Sequence, residues 1–120
     1  MSTLTLYHNP RCSKSRRALE LLTEKGVELD VVEYLENPPS RTVLENLVAG
    51  ADVEPAEFVR TGDAAFKEAG LSLSADANAA EVIELLCDHP AVMQRPVVAG
   101  GGRVVIGRPP ELVLDLVEAT

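Results

Sequence analysis

The 120-residue sequence predicts an α/β fold: a four-stranded mixed sheet in the order βαβ, then ββα, with a helical insertion between the two units. Three observations carry this. Thr3–Tyr7 and Leu29–Tyr34 are short apolar runs on either side of an amphipathic stretch, the arrangement of a parallel β–α–β unit. Val97–Ala99 and Arg103–Ile106 flank Gly100-Gly101-Gly102, as the arms of an antiparallel hairpin flank their turn. Residues 40–90 between them carry helical rather than strand periodicity.

Each element has a local reason. Leu4 and Leu6 alternate with threonines in the first strand. The following helix begins near Ser13, presents Ala18, Leu21 and Leu22 on one face, and ends at Gly26, which can take the left-handed C′ conformation. Val31 and Val32 are the expected centre of the second strand. Asn37-Pro38-Pro39 breaks the chain, and Ser40 is positioned to cap a helix to Ala49, closed by Gly50, with Val43, Leu44, Leu47 and Val48 inward. Shorter helical pieces at Pro55–Arg60 and Ala64–Ala69 are joined by the turn Thr61-Gly62-Asp63. Asp76 is the expected cap of a helix to Asp88, with Ala79, Val82, Ile83 and Leu86 inward and His89-Pro90 as its stop. Pro109-Pro110-Glu111 opens the last helix, since proline is tolerated and glutamate favoured in a first turn. Its expected buried face is Leu112, Val113, Leu116 and Val117. No repeat or linker marks a boundary, so 1–120 reads as a single domain with its insertion at about 40–90.

Composition narrows the function classes. The net charge of −8 argues against a nucleic-acid partner, which needs a basic face. No apolar stretch reaches membrane-spanning length and the N-terminus lacks a signal-peptide core, so no membrane is expected and a cytoplasmic chain with reduced thiols is. A monomer is the expectation for this size. Cys12 and Cys87, with His8 and His89, lack the spacing of a metal site, so no metal and no bound cofactor is expected.

Chemistry concentrates at Cys12. It lies between the first strand and the first helix, where backbone N–H groups and the positive helix end stabilise a thiolate. Residues 1–19 contain Arg11, Lys14, Arg16 and Arg17 and no carboxylate. Holding a thiol ionised two pH units below its ordinary range takes about 2.7 kcal/mol. A helix end supplies at most about 2 kcal/mol, so arginines must contribute. Cys12-Ser13-Lys14-Ser15 has the spacing of a C-x-x-C redox motif with the second sulfur replaced by oxygen. Ser15 cannot resolve a mixed disulfide, so the resolving sulfur comes from Cys87 or, as the better expectation, from an external thiol. Cys87 sits among Ile83, Leu85 and Leu86 and reads as a packing thiol. A phosphatase-type loop needs arginine six residues after the cysteine, and Ala18 occupies that place.

The order of elements is the thioredoxin-like one, and a proline just before the third strand is that fold's second marker. In that fold the X–Pro bond is cis and lies against the active cysteine; Arg95-Pro96 falls there. Residues 7–16 (Tyr-His-Asn-Pro-Arg-Cys-Ser-Lys-Ser-Arg), Tyr34-Leu35-Glu36, Arg95-Pro96-Val97-Val98 and Ile106-Gly107-Arg108-Pro109-Pro110-Glu111 resemble the glutaredoxin-coupled bacterial arsenate reductases. The resemblance is to the branch with Cys-Ser-Lys-Ser-Arg rather than Cys-Gly-Thr-Ser, so Ser13 and Lys14 bear on substrate preference. It implies Cys12 as nucleophile, Arg60, Arg95 and Arg108 as oxyanion ligands, and His8, Ser15 and Pro96 in support. It also implies arsenate as substrate, glutathione as co-substrate and glutaredoxin as partner. A glutathione-dependent thiol–disulfide oxidoreductase on the same scaffold remains open, as does a Spx-type regulator that binds RNA polymerase. Those regulators usually carry Cys-x-x-Cys, which Ser15 departs from.

Overall fold

Alternation of Leu4 and Leu6 with Thr5 and Tyr7 gives β1 (Leu4–His8) two apolar faces, which suits a strand covered on both sides. In the computed structural model, which describes residues 3–118, β1 is interior to the sheet. It pairs in parallel with β2 (Leu29–Glu33) and antiparallel with β3 (Val97–Gly100). β4 (Arg103–Ile106) closes the order β2-β1-β3-β4 through the hairpin whose turn is formed by Gly101 and Gly102 at positive φ. This is the thioredoxin-like arrangement expected from the element order.

Register sorts the side chains into two layers. Leu6, Val98 and Val105 share one row and one face. They meet Ala18 and Leu22 of α1 (Ser13–Glu24), together with Val113 and Leu116 near the C-terminus. Tyr7 and Val97 face the other way, into a larger cluster with Tyr34, Leu44, Leu47, Phe58, Val82, Leu86 and Met93. That layer is built by α2 (Arg41–Gly50), α3 (Ala64–Glu68), α4 (Ala79–Asp88) and the 3₁₀ turns Pro55–Phe58 and Pro90–Val92.

Strand directions bring four chain segments to one end of the sheet. α1 starts just beyond the C-terminal end of β1, and the parallel β2 delivers Tyr34 to the same end. Since β3 runs opposite to β1, its beginning, just after Arg95-Pro96, lies there too: Tyr7 is opposite Val97. Val97 in turn faces Ile106, so β4 ends there and delivers Gly107-Arg108. The Arg95–Pro96 peptide is cis as expected, and Arg108–Pro109 is cis as well.

Several local expectations change. The cap of α4 is Asn78, whose side chain accepts the Glu81 N–H at 2.9 Å; Asp76 instead accepts the Ser74 hydroxyl. Val31 is exposed on the edge strand β2, while Leu29 on the same face still packs against the α1 cluster. The last helix opens as a 3₁₀ turn, Pro110–Val113, before α5 (Leu114–Glu118), and this rotates Leu112 outward while Val113 and Leu116 stay buried. Gly50 is the final residue of α2 rather than a left-handed cap. A Cβ there would lie 2.9 Å from Val104 and 3.1 Å from the Gly102 carbonyl, so close packing on β4 is what selects it.

Gly107 has the same kind of reason. A Cβ would come within 2.8 Å of both Pro96 and Val113, while its N–H donates to the Pro96 carbonyl at 2.9 Å. Gly107→Ala should therefore wedge Pro96 away from β4. The expected cost is about 1–3 kcal/mol, the range for overpacking, read as a lower urea midpoint together with slower alkylation of Cys12.

Candidate active site

The turn that presents Cys12 is shaped by Asn9. Its side-chain oxygen accepts the Arg11 N–H at 3.0 Å and its carbonyl accepts the Cys12 N–H at 3.0 Å. Cys12 then serves as N-cap of α1 with extended φ and ψ, its carbonyl accepting the Arg16 N–H at 3.0 Å. Its half-buried thiol makes no regular capping hydrogen bond, yet the N–H groups of Lys14 and Ser15 still act on the sulfur. Burial by itself would raise the thiol pKa. The Ser15 N–H, the Arg95 guanidinium, the Lys14 N–H and the Arg95 charge outweigh that, and the net direction is down.

Arg108 approaches the same sulfur, with Nη2 3.9 Å from Sγ, and its Nε–H donates to the Arg95 carbonyl at 3.0 Å. Arg95 donates from Nη1 to Asp63 Oδ2 at 3.2 Å in a largely buried ion pair. Arg60 is brought in by a short antiparallel bridge between Val59 and Met93. The Arg60 N–H donates to Val92 at 2.8 Å and the Gln94 N–H to Phe58 at 2.7 Å. Arg60 and Arg108 line an open cleft of about 310 Å³ with Thr61, Gly62, Asp63 and Gln94. Burial, then the neighbouring charge of Arg60, lowers the pKa of Arg108, with the Cys12 sulfur and Asp63 opposing. A larger cleft of about 610 Å³ lies toward the other end of β1, among Thr3, Gly50, Gly100 and Arg103, and among the described residues has neither thiol nor carboxylate on its walls.

His8 and Ser15 form a buried pair behind this surface. His8 Nδ1 lies 2.6 Å from Ser15 Oγ, which also accepts the Asn9 N–H at 3.0 Å. Burial lowers the His8 pKa, with Glu33 opposing and Arg16 adding to the shift, so the neutral imidazole is favoured. A neutral ring with Nδ1 unprotonated accepts the Ser15 hydroxyl proton, which leaves the Ser15 oxygen to accept the Asn9 N–H. Ser15 ties the start of α1 to the end of β1 by its side chain while its N–H faces Cys12.

Cys12, Arg60, Arg95, Arg108, His8, Ser15 and Pro96 are thus brought to one end of the sheet. Cys87 is not; it packs from α4 against the larger core cluster. Two further residues belong to the site. Asp63 read as a turn residue, and only its position three residues after Arg60 could have drawn attention to it. Tyr34 stood in a quoted motif without a role; it is fully buried, and its hydroxyl and Arg95 Nε are both buried without a hydrogen-bond partner. Burial raises the Tyr34 pKa against the opposing effects of Arg95 and Asn9, so the phenol keeps its proton and is available as a donor. Among the described residues, no group of three or more His, Cys, Asp or Glu could hold a metal ion, and no helix is long and apolar enough to cross a membrane.

Residues 7–116 match the model of the ArsC family. The chain is 44% identical over 113 residues to the uncharacterised protein YfgD of Escherichia coli K12, covering 93% of this chain and 94% of that one. It is 39% identical over 115 residues to an arsenate reductase of Neisseria meningitidis serogroup B, covering 92% and 95%. The solved structure of an arsenate reductase from Vibrio cholerae superposes with a TM-score of 0.83 at 34% identity, covering 94% of this chain and 96% of that one.

Two outcomes follow from the geometry. Ser15→Ala leaves His8 Nδ1 and the Asn9 N–H unpaired in the interior and should cost about 1–3 kcal/mol, seen as a lower thermal midpoint. In a Cys87→Ser background, the pH profile of Cys12 alkylation should inflect below the range of an ordinary thiol. Arg95→Ala should move it upward, because removing the cation disfavours the thiolate.

Proposed function

The chain belongs to the ArsC family, and from that premise we propose that it is an arsenate reductase that works through the Cys12 thiolate, with glutathione as co-substrate and glutaredoxin as partner. The observation that carries the reading is the Cys12 sulfur faced by Arg95 and Arg108, with Arg60 on the wall of the adjoining cleft. Arginine offers planar, permanently charged forks suited to oxygens arranged around one centre.

The chemistry proceeds in three steps. Arg60, Arg95 and Arg108 hold the arsenate oxygens. The Cys12 thiolate attacks arsenic, a sulfur–arsenic bond forms, and one arsenate oxygen leaves as hydroxide or, once protonated, as water. A glutathione thiolate then attacks the Cys12 sulfur. The new bond is a mixed disulfide, the sulfur–arsenic pair of electrons stays with arsenic, and arsenic(V) becomes arsenic(III) and departs as arsenite. A glutaredoxin thiolate attacks the glutathione sulfur and returns Cys12 as thiolate. Two thiol sulfurs are oxidised for each arsenic reduced.

Ser15 fits this scheme because its hydroxyl cannot form a disulfide and is engaged with His8 and Asn9. The second reducing sulfur is therefore external, and Cys87, packed on α4, is not needed.

The test is NADPH consumption coupled to arsenate, glutathione, glutaredoxin and glutathione reductase. Cys12→Ser should abolish turnover, Cys87→Ser should retain most of it, and Arg108→Ala should lose roughly a hundredfold, the scale of one lost transition-state donor. Full activity of Cys12→Ser would remove the mechanism. Absence of arsenate turnover, with turnover of a glutathionylated peptide, would make the chain a thiol–disulfide enzyme instead.

A further inference from the structure

Among the described residues, Asp63 is the only acidic side chain on the wall of the arginine cleft, and the reduction scheme gives it no task. Its position is determined. Oδ2 accepts from Arg95 Nη1 at 3.2 Å, and the carboxylate is near enough to Arg108 to oppose that residue's pKa shift. It is partly exposed, with 27% of its side-chain surface open against 13% for Arg95, so it faces the cleft rather than the core. A carboxylate in an anion site is unfavourable unless something specific compensates, because it repels every anion that enters.

The compensation depends on the anion's protonation. An ionised carboxylate has about four acceptor positions and no donor. An oxyanion that retains a hydroxyl, such as arsenate or phosphate near neutral pH, can turn that hydroxyl toward Asp63 and donate. Sulfate carries no proton under these conditions. Against sulfate the same carboxylate offers only like charge and an unmet acceptor, and a site built to bond a hydroxyl discriminates strongly against analogues lacking one.

We propose that Asp63 is a specificity-determining residue that selects hydroxyl-bearing tetrahedral oxyanions over fully deprotonated ones. The proposal rests on the reading of the arginine cleft as an oxyanion site. It deepens that reading, since arginines alone would favour the more highly charged anion. The Arg95 pair fixes the carboxylate, and the carboxylate leaves Arg95 free to bond through its other N–H groups. The cations of Arg60 and Arg108 bind the anion, and Asp63 checks that it has a proton to give.

The experiment uses the full chain in a Cys87→Ser background, so that Cys12 is the single thiol. Protection of Cys12 from iodoacetamide is titrated with inorganic phosphate and with sulfate at pH 7 and constant ionic strength. The expected result is protection by phosphate at concentrations roughly tenfold or more below those of sulfate, the scale of one hydrogen bond to a charged acceptor. Asp63→Asn should collapse that ratio to near one, chiefly by gaining sulfate affinity, and Asp63→Glu should restore part of it. Equal protection of the parent chain by both anions overturns the proposal. So does an unchanged ratio in Asp63→Asn, and so does an equal loss for both anions, which would mean that Asp63 only anchors Arg95. Protection is read independently of arsenate turnover, so a collapsed ratio in a chain that shows no turnover in the NADPH-coupled assay would retain the selection and dismiss the reductase reading. If neither anion protects the parent chain, both fall.

Discussion

Like charges repel, and one end of this sheet gathers the side chains of Arg60, Arg95 and Arg108 near enough for the charges of Arg60 and Arg95 to act on Arg108. Two unit charges at about 4 Å repel by roughly 4 kcal/mol at an effective dielectric of 20, a large share of the 5–15 kcal/mol that stabilises a typical domain. The fold offsets this with backbone and charge together. Arg108 is tied through Nε to the Arg95 carbonyl, Arg95 is paired with Asp63, and Arg60 is held by the bridge between Val59 and Met93. The Cys12 thiolate supplies a second negative charge. Cations that stabilise the thiolate are themselves stabilised by it, so thiol activation and the arginine cluster are one arrangement viewed from two sides.

The sheet makes that arrangement possible. β1 and β2 run in parallel and β3 runs against them, so the end of β1, the start of β3 and the end of β4 coincide. Cys12, Arg95 and Arg108 are each within a few residues of those ends and need no long loop to meet. Arg60 comes from the helical insertion and is the exception. Its position depends on a two-residue bridge rather than a strand ladder, and pairing with the segment just before Arg95 sets the spacing between the two cations.

The sheet order and α1 were legible because their signals are periodic: Leu4 and Leu6 in alternation, Ala18, Leu21 and Leu22 at helical spacing, and a glycine turn between two valine-rich runs. Cys12 was legible from its basic surroundings and Arg95 from its proline. Arg60 and Arg108 were placed by resemblance, since an arginine in a loop has no local mark of its function. Asp63 and Tyr34 escaped for a different reason. The role of each is set by contacts across long stretches of chain, Asp63 with Arg95 and Tyr34 with the Cys12 neighbourhood, and no local pattern encodes such contacts. The cap at Asn78 was misplaced because Asp76 has equal capping chemistry and only the bond to Glu81 decides between them.

Ser15 shows how fully one position can be committed. Its N–H faces the Cys12 sulfur, while its hydroxyl closes a buried set with His8 and the Asn9 backbone. A neutral imidazole there matters electrostatically, because a charged His8 would add a buried cation behind the arginine cluster. The serine therefore does more than remove a second sulfur from the motif. It fixes the helix start whose N–H groups lower the thiol pKa, and it does so without adding charge. The positive charge of the site then stays on the arginines, two of which line the cleft, and not on the ring behind them.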